Sequence, residues 1–316
     1  MRSQIKRAER KRTFLQSIAR EARRNWGLYL LVSIPLLYLI LFKYWPMYGV
    51  QIAFRNYSPA RTISGSPWGG LKYFKKFMGN YQFKRILVNT IAISLYSLAT
   101  FPLPIVLAVL LNYVTRTRFK KAVQMVSYMP HFISTVVMVG IILQFLDVRS
   151  GLLNMVLALF GKDPVNFMAK PEYFRTIYVF SGVWQSLGYN SIIYIAALAG
   201  VSPELHEAAI VDGANIIRRI WHIDLPGILP TISILLIMQC GSILSVGYEK
   251  IFLMQNSLNL AVSEIISTYV YKQGIASQIP QYSYATAIGL FVSAVNVIML
   301  LIVNTTTNKL SGSSLF

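Results

Sequence analysis

Long stretches without a charged side chain set the strongest limit on how this chain can fold. Five of them each exceed the roughly 20 residues that an α-helix needs to cross the hydrocarbon core of a bilayer. These five stretches are 86–115, 122–146, 176–203, 225–248 and 273–308. A sixth, 25–42, is shorter, but it can span if Lys43 extends to the interface and Tyr44 and Trp45 anchor there. The chain is therefore expected to lie in a membrane.

The composition agrees with a membrane protein. Of the 316 residues, 55% are hydrophobic and 13% are charged, whereas about a quarter of the residues are charged in a soluble domain. We predict an all-α membrane protein with six transmembrane helices. They are predicted near 27–46, 87–111, 122–146, 176–200, 229–248 and 282–304. The apolar run 251–263 is too short to span, so a re-entrant, interfacial or external segment is expected there.

The distribution of basic residues predicts the topology. The net charge of +19 could indicate nucleic-acid binding, but the basic residues are not arranged as a recognition surface. Nine of them precede the first predicted span, as the positive-inside rule expects of a cytoplasmic flank. Six crossings then return the C-terminus to the cytoplasm. We predict a basic cytoplasmic segment, 1–26, a transmembrane domain, 27–304, and a cytoplasmic tail, 305–316.

The first predicted external loop, about 47–86, does not follow the positive-inside rule. It carries seven basic residues and no acidic residue, and Lys84 and Arg85 lie at the mouth of the second span. Either the strong N-terminal flank fixes the topology and the loop tolerates its charge, or the basic surface attracts an anionic solute or an acidic docking face.

A short polar segment between the fourth and fifth predicted spans is expected to start with a helix. Ser202 suits the N-cap and Pro203 the first helical position. Glu204 and Glu207 then lie near the positive end of the helix dipole. Gly213 is expected to end the helix, because glycine tolerates the left-handed conformation that turns the chain.

A second helix is predicted over 214–223. Its apolar side chains recur at helical spacing with Arg218 and Arg219 on the opposite side, and Leu225-Pro226 is expected to end it. Two short helices joined by a glycine make a compact knob. A knob on the cytoplasmic side suits a socket in another protein, and the alternative is a solvated hairpin without a partner.

The hairpin resembles the signature of the permease subunits of ATP-binding cassette (ABC) importers. That signature reads E-A-A, three residues, G, and then a helix that ends in I-x-L-P, with D-G-A and a further proline in sugar-type permeases. The chain departs from it at Ile220, where phenylalanine is usual. The matching residues are Glu207, Ala208, Ala209, Asp212, Gly213, Ala214, Ile223, Leu225, Pro226 and Pro230.

The resemblance implies the type I ABC importer fold, with the hairpin 202–226 as the coupling helix seated in a groove of a cytoplasmic ATPase. Glu207 and Gly213 would be its central residues. ATP and Mg would bind to a dimer of ATPase subunits and not to this chain. The other implied partners are a second, different permease subunit and an extracytoplasmic solute-binding protein.

Polar side chains inside the predicted spans are the candidates for contact with the solute. Aromatic rings beside amides suit sugars, since a ring covers the C–H face while amides bond the hydroxyls. The alternative role for each residue is a contact between helices or an anchor at the interface. The candidates are Trp184, Gln185, Tyr189, Asn190, Gln239, Ser242, Tyr248 and Glu249.

The function expected from this resemblance is ATP-driven import of a sugar, an oligosaccharide or a polysaccharide fragment across the cell membrane. An importer of amino acids, peptides or anionic solutes is the alternative within transport. A membrane-embedded sugar transferase is the alternative among enzymes, but its acidic residues show no catalytic spacing. The single cysteine, Cys240, excludes an intrachain disulfide and a cysteine metal cluster. We therefore predict no catalytic residue and no metal site.

Overall fold

The computed structural model describes residues 24–312 and 314–315, without the side chains of 310 and 311. The predicted basic segment 1–26 thus lies almost wholly outside the described residues. Within these ranges the chain is helical, and its β-type pairing is limited to one isolated bridge between Arg55 and Trp68. The chain divides into two compact units, Met1–Gly69 and Gly70–Phe316.

The first unit contains the first predicted span. Its helix α1, Trp26–Leu39, continues through a π-helical segment, Ile40–Tyr44, and shorter helical turns as far as Phe54. The whole run, Trp26–Phe54, is long and apolar enough to cross a membrane. Pro35 lies inside α1 without ending it.

The second unit is built from helices joined by short turns. Several of these helices are too short to cross a membrane, and they lie between the long helices in the chain. In chain order the helices are α2 Lys72–Met78, α3 Phe83–Ala99, α4 Pro102–Asn112, α5 Thr117–Tyr128, α6 Thr135–Phe145, α7 Leu152–Leu159, α8 Pro171–Ala199, α9 Pro203–Val211, α10 Ile216–Arg219, α11 Leu225–Cys240, α12 Tyr248–Met254, α13 Leu260–Ser263, α14 Ile266–Gly274 and α15 Tyr282–Ser311.

Three segments of this unit are long and apolar enough to span, namely Phe83–Asn112, Ile216–Cys240 and Tyr282–Lys309. The pair Thr117–Phe132 and Thr135–Phe145 meets the same test jointly but bends by 102°. With the first unit, the described residues thus hold four such helices, or five if the bent pair is one span. Helix α8 has 29 residues and is long enough, but its amides and hydroxyls lower its hydropathy.

Prolines interrupt two of the predicted spans. Helix α3 ends at Ala99 and α4 begins at Pro102, because a proline interrupts the backbone hydrogen bonds of the preceding turn. Pro130 lies in a short 3-10 turn, Met129–Phe132, at the bend between α5 and α6. The third predicted span is therefore a bent pair of helices.

Three apolar clusters hold the second unit together. One joins α3, α6, α8 and α12 around Met138 and Phe174. Ile251 and Met254 belong to this cluster, so the run 251–263 packs partly into the core. A second cluster joins α2, α3, α14 and α15. The third joins α4, α8 and α11 beside the hairpin.

Arg85 has a buried acidic partner, although the positive-inside rule disfavours a basic residue at its predicted place. Its guanidinium lies 2.8 Å from Glu264, whose side chain is 6% exposed. Lys272 lies 3.3 Å from the other oxygen of the same carboxylate. The interaction joins α3 to the segment before α14, so part of the basic charge of the predicted external loop is paired with an acid inside the fold.

Some helix boundaries differ from the sequence prediction. The second hairpin helix does not end at Leu225-Pro226. It runs from Ile216 through a π turn, Ile220–Asp224, into α11, because a π turn shifts the backbone hydrogen bonds and accommodates a proline that has no N–H. The hairpin and the fifth predicted span therefore share one continuous helix.

The fifth predicted span also ends earlier than expected, at Cys240 instead of residue 248. Gly241 follows it, and glycine is a weak helix former. Beyond it the Leu244 N–H donates to Asn296 Oδ1 on α15, at 3.0 Å. This side-chain acceptor replaces the helical carbonyl and holds the chain in a turn.

Candidate functional site

The turn of the hairpin is a Schellman motif at the end of α9. Gly213 has φ +73°, and its N–H donates to the Ile210 carbonyl at 3.0 Å. The Ala214 N–H donates to the Ala209 carbonyl at 2.8 Å. These are the two bonds that define the motif. A Cβ on Gly213 would meet no atom within 4 Å, so glycine is needed for its backbone conformation and not for space.

The second arm of the hairpin begins with a capping side chain. Asn215 Oδ1 accepts a hydrogen bond from the Arg218 N–H at 2.9 Å, which satisfies one free donor of the first turn. The helix thus begins two residues later than the sequence predicts. The turn between the two arms is fixed at both ends by local hydrogen bonds.

The hairpin exposes several large apolar side chains beside its charged ones. Glu207 and Ala208 are also exposed, and Ala209 is half-buried. Exposed apolar clusters of this kind mark interaction surfaces. The large apolar side chains that are at least half exposed are Leu205 55%, Ile210 55%, Val211 87%, Ile216 50%, Ile217 65% and Trp221 65%.

A buried carboxylate fastens the hairpin to the rest of the unit. Asp224 is fully buried, and its Oδ2 accepts a hydrogen bond of 2.6 Å from the Tyr113 hydroxyl. Its Oδ1 lies 3.3 Å from His206 Nε2 on α9. The Arg219 guanidinium lies 5.5 Å from the centre of the Tyr113 ring. Burial, followed by the hydrogen bond to Asp224, raises the pKa of Tyr113 to about 12, so the hydroxyl stays protonated as a donor.

We expect Tyr113→Phe to loosen the hairpin. The change removes the donor to a buried carboxylate, which costs about 1.5–3 kcal/mol for a hydrogen bond to a charged group. Hydrogen exchange of the purified protein should show faster exchange over α9 and α10. Tyr81→Phe is the control, because Tyr81 is 88% exposed. Equal protection of the hairpin in both variants would contradict the fastening role.

A cavity of about 400 Å³ lies between α3, α4, α8 and α11. Gln185 and Asn190 of α8 and Gln239 of α11 line it. Gln239 and Ser242 also line a smaller neighbouring cavity of about 240 Å³. Half of the predicted solute-contact residues thus share one region, and their contact with a solute stays a prediction.

The other four candidates do not line either cavity. Trp184 is half exposed, and Tyr189 stacks on the His131 ring with centroids 3.7 Å apart. Tyr248 packs against neighbouring aromatic rings, and Glu249 is exposed. Helical spacing alone did not separate them from the lining residues.

The cavity also has lining residues that the sequence reasoning missed. Ser97 and Thr100 come from the end of α3, Tyr178 from α8 and Lys250 from α12. Lys250 lies outside the predicted spans, and nothing in its local sequence indicates burial. Among the described residues that line the two cavities, Lys250 has the only charged side chain.

Comparison with known proteins identifies the family. The family described as "Binding-protein-dependent transport system inner membrane component" matches residues 76–311. The chain belongs to this family. It is therefore a membrane component of a transport system and not an enzyme, and the sugar transferase alternative is excluded.

Individual relatives of this permease cover nearly its whole length. It is 43% identical over 295 residues to Protein LplB of Bacillus subtilis (strain 168), covering 93% of this chain and 92% of the relative. It is 40% identical over 313 residues to the polygalacturonan/rhamnogalacturonan transport system permease protein YteP of the same organism, covering 99% and 95%.

A solved structure also resembles this permease. It is the crystal structure of a bacterial ABC transporter involved in the import of the acidic polysaccharide alginate. The TM-score is 0.85 with 37% sequence identity, and the alignment covers 92% of this chain and 98% of the other.

Proposed function

We propose that this chain is the permease subunit of an ATP-driven importer that carries a saccharide across the cell membrane by alternating access. The observation that carries the proposal is the hairpin, with a Schellman turn at Gly213 and exposed apolar side chains on both arms. A projection with a fixed turn and exposed apolar side chains fits a groove in a partner protein. Membership of the binding-protein-dependent transport family supports an ATPase as that partner.

The helix arrangement suggests how movement of the hairpin reaches the membrane domain. The second arm continues without a break into α11, so a push on the hairpin moves a span directly. The Tyr113–Asp224 hydrogen bond fastens the same hairpin to the residue that follows α4. Closure of an ATPase dimer around ATP would therefore move two spans as one body.

The proposed assembly has four kinds of component besides the bilayer. This permease pairs with a second, different permease, and a dimer of ATPase subunits binds ATP and Mg. An extracytoplasmic binding protein delivers the solute. The membrane topology in this proposal has six spans, with α8 as the fourth span, the hairpin and both termini in the cytoplasm.

The proposed solute is an oligosaccharide or a polysaccharide fragment. Amides and hydroxyls from α3, α8 and α11 face one cavity, which suits the hydroxyl groups of a sugar. The relatives named for polygalacturonan/rhamnogalacturonan transport and for alginate import support a polysaccharide fragment. An importer of amino acids or peptides is the second candidate and shares the same hairpin.

Reconstitution tests this function. The permease is purified with the proteins that hold it in the membrane, and the complex is placed in liposomes with its binding protein. We expect an ATPase in the complex, and we expect oligosaccharides from digested polygalacturonan or alginate to stimulate ATP hydrolysis. A complex without an ATPase contradicts the coupling role, and stimulation by amino acids or peptides alone contradicts the saccharide.

A further inference from the structure

Lys250 is a buried ammonium without an acidic partner. The residue is 9% exposed, and the ion pairs of the described residues do not include it. Its Nζ donates to the Tyr178 carbonyl at 3.2 Å and lies 5.1 Å from the centre of the Tyr178 ring. A carbonyl and a ring offset part of the desolvation of an ammonium, but they leave its charge unneutralised.

The ammonium faces the space where a solute would pass. Tyr178, Gly182 and Gln185 lie at positions i, i+4 and i+7 on α8, and all three line the larger cavity together with Lys250. The ammonium lies close to Gly182, since a Cβ there would be at ordinary contact distance, 3.6 Å, from Nζ. The described residues that line the same cavity include Gln185, Asn190 and Gln239 and no acidic residue.

A buried charge without a counterion destabilises a protein, so its presence beside a polar cavity points to a ligand of opposite charge. We propose that Lys250 binds the carboxylate of an acidic saccharide as the solute passes this permease. One ammonium balances the single negative charge of one uronate carboxylate. The surrounding amides then bond the hydroxyl groups of the same sugar. This inference rests on the proposed saccharide import and adds the chemical class of the sugar.

The test compares acidic solutes with neutral ones in the complete reconstituted transporter. The probes are oligosaccharides from digested polygalacturonan and alginate, each beside its carboxyl-reduced neutral counterpart. The variants are Lys250→Met, which keeps the shape without the charge, and Lys250→Arg, which keeps the charge. Lys170→Met is the matched control, because Lys170 lies 5.9 Å from the centre of the Tyr173 ring and is exposed.

We expect Lys250→Met to lower uptake of the acidic oligosaccharide about tenfold or more, as loss of a hydrogen bond to a charged group implies. Uptake of the neutral counterpart should be unchanged or higher. Lys250→Arg should retain most of the acidic uptake, and Lys170→Met should retain all of it. The same binding protein is used throughout. For each solute, uptake by a variant is divided by uptake by the wild type, so the selectivity of the binding protein cancels.

Thermal unfolding of the complex separates solute binding from a structural role. Lys250→Met removes a buried unpaired charge, so its unfolding temperature should equal or exceed that of the wild type. A lower unfolding temperature with equal losses of acidic and neutral uptake would show that Lys250 only joins α12 to α8, and would overturn the inference. Wild-type uptake confined to neutral saccharides would overturn it while leaving saccharide import intact. Wild-type uptake of no saccharide would contradict the proposed function itself.

Discussion

Gly213→Pro is expected to abolish ATP-dependent uptake. Proline fixes φ near −65° and has no N–H, whereas Gly213 has φ +73° and donates to the Ile210 carbonyl. The substitution therefore breaks the turn that sets the angle between α9 and α10. Uptake by reconstituted transporter and the amount of ATPase that copurifies should both fall to background.

The chain offers a matched control for this backbone change. Gly161, at the end of α7, has φ +68°, and its N–H donates to the Ala158 carbonyl while the Lys162 N–H donates to Leu157. It is the same Schellman motif in a predicted external loop. Gly161→Pro should break an equivalent turn and leave ATPase assembly intact. Equal loss of assembly in both variants, or normal assembly and uptake in Gly213→Pro, would contradict a coupling role for the hairpin.

Glu207→Lys is expected to weaken binding of the ATPase without destabilising the permease. Glu207 is exposed and forms no ion pair among the described residues, so its reversal should leave the unfolding temperature of the permease unchanged. At an interface, reversal of a charge places it against a surface built for the opposite sign. We expect the affinity for the ATPase to fall by about tenfold or more, measured with the purified subunits.

Glu204→Lys is the control for this reversal. Glu204 lies one turn earlier on α9, in its first turn, where a positive charge opposes the helix dipole. We therefore expect Glu204→Lys to lower the stability of α9 more than Glu207→Lys does. It should lower the affinity for the ATPase less. If Glu204→Lys weakened ATPase binding as much as Glu207→Lys, net charge and not the specific contact would govern assembly.

Local chemistry made the helical class and the hairpin turn predictable. The turn is made by the N–H groups of Gly213 and Ala214 and by carbonyls close to them in sequence. Glycine at a helix end commonly adopts the left-handed conformation that this turn needs. The interruptions at Pro102 and Pro130 are also local in origin, because the ring of a proline itself disturbs the helix. The error at Leu225-Pro226 has the same local origin, because a proline can be accommodated by a π turn as well as by a helix end.

Contacts between distant residues could not be predicted in the same way. Tyr113 and Asp224 are 111 positions apart, and Lys250 and Tyr178 are 72 apart. Which polar residues face the cavity depends on the rotation of α8 and α11 in the packed unit. Sequence spacing found Gln185, but it gave no reason to prefer it over Trp184.

Cross-linking from the hairpin tests the central claim most directly. Cys240 is the only cysteine of the chain, so it is first replaced by serine. Ala208→Cys is then introduced, and its thiol is treated with a thiol-to-amine cross-linker in the assembled transporter. Ser150→Cys, in a predicted external loop, is the control. We predict a cross-link from position 208 to the ATPase subunit and none from position 150. A transporter that is active and shows no cross-link from position 208 would contradict the account.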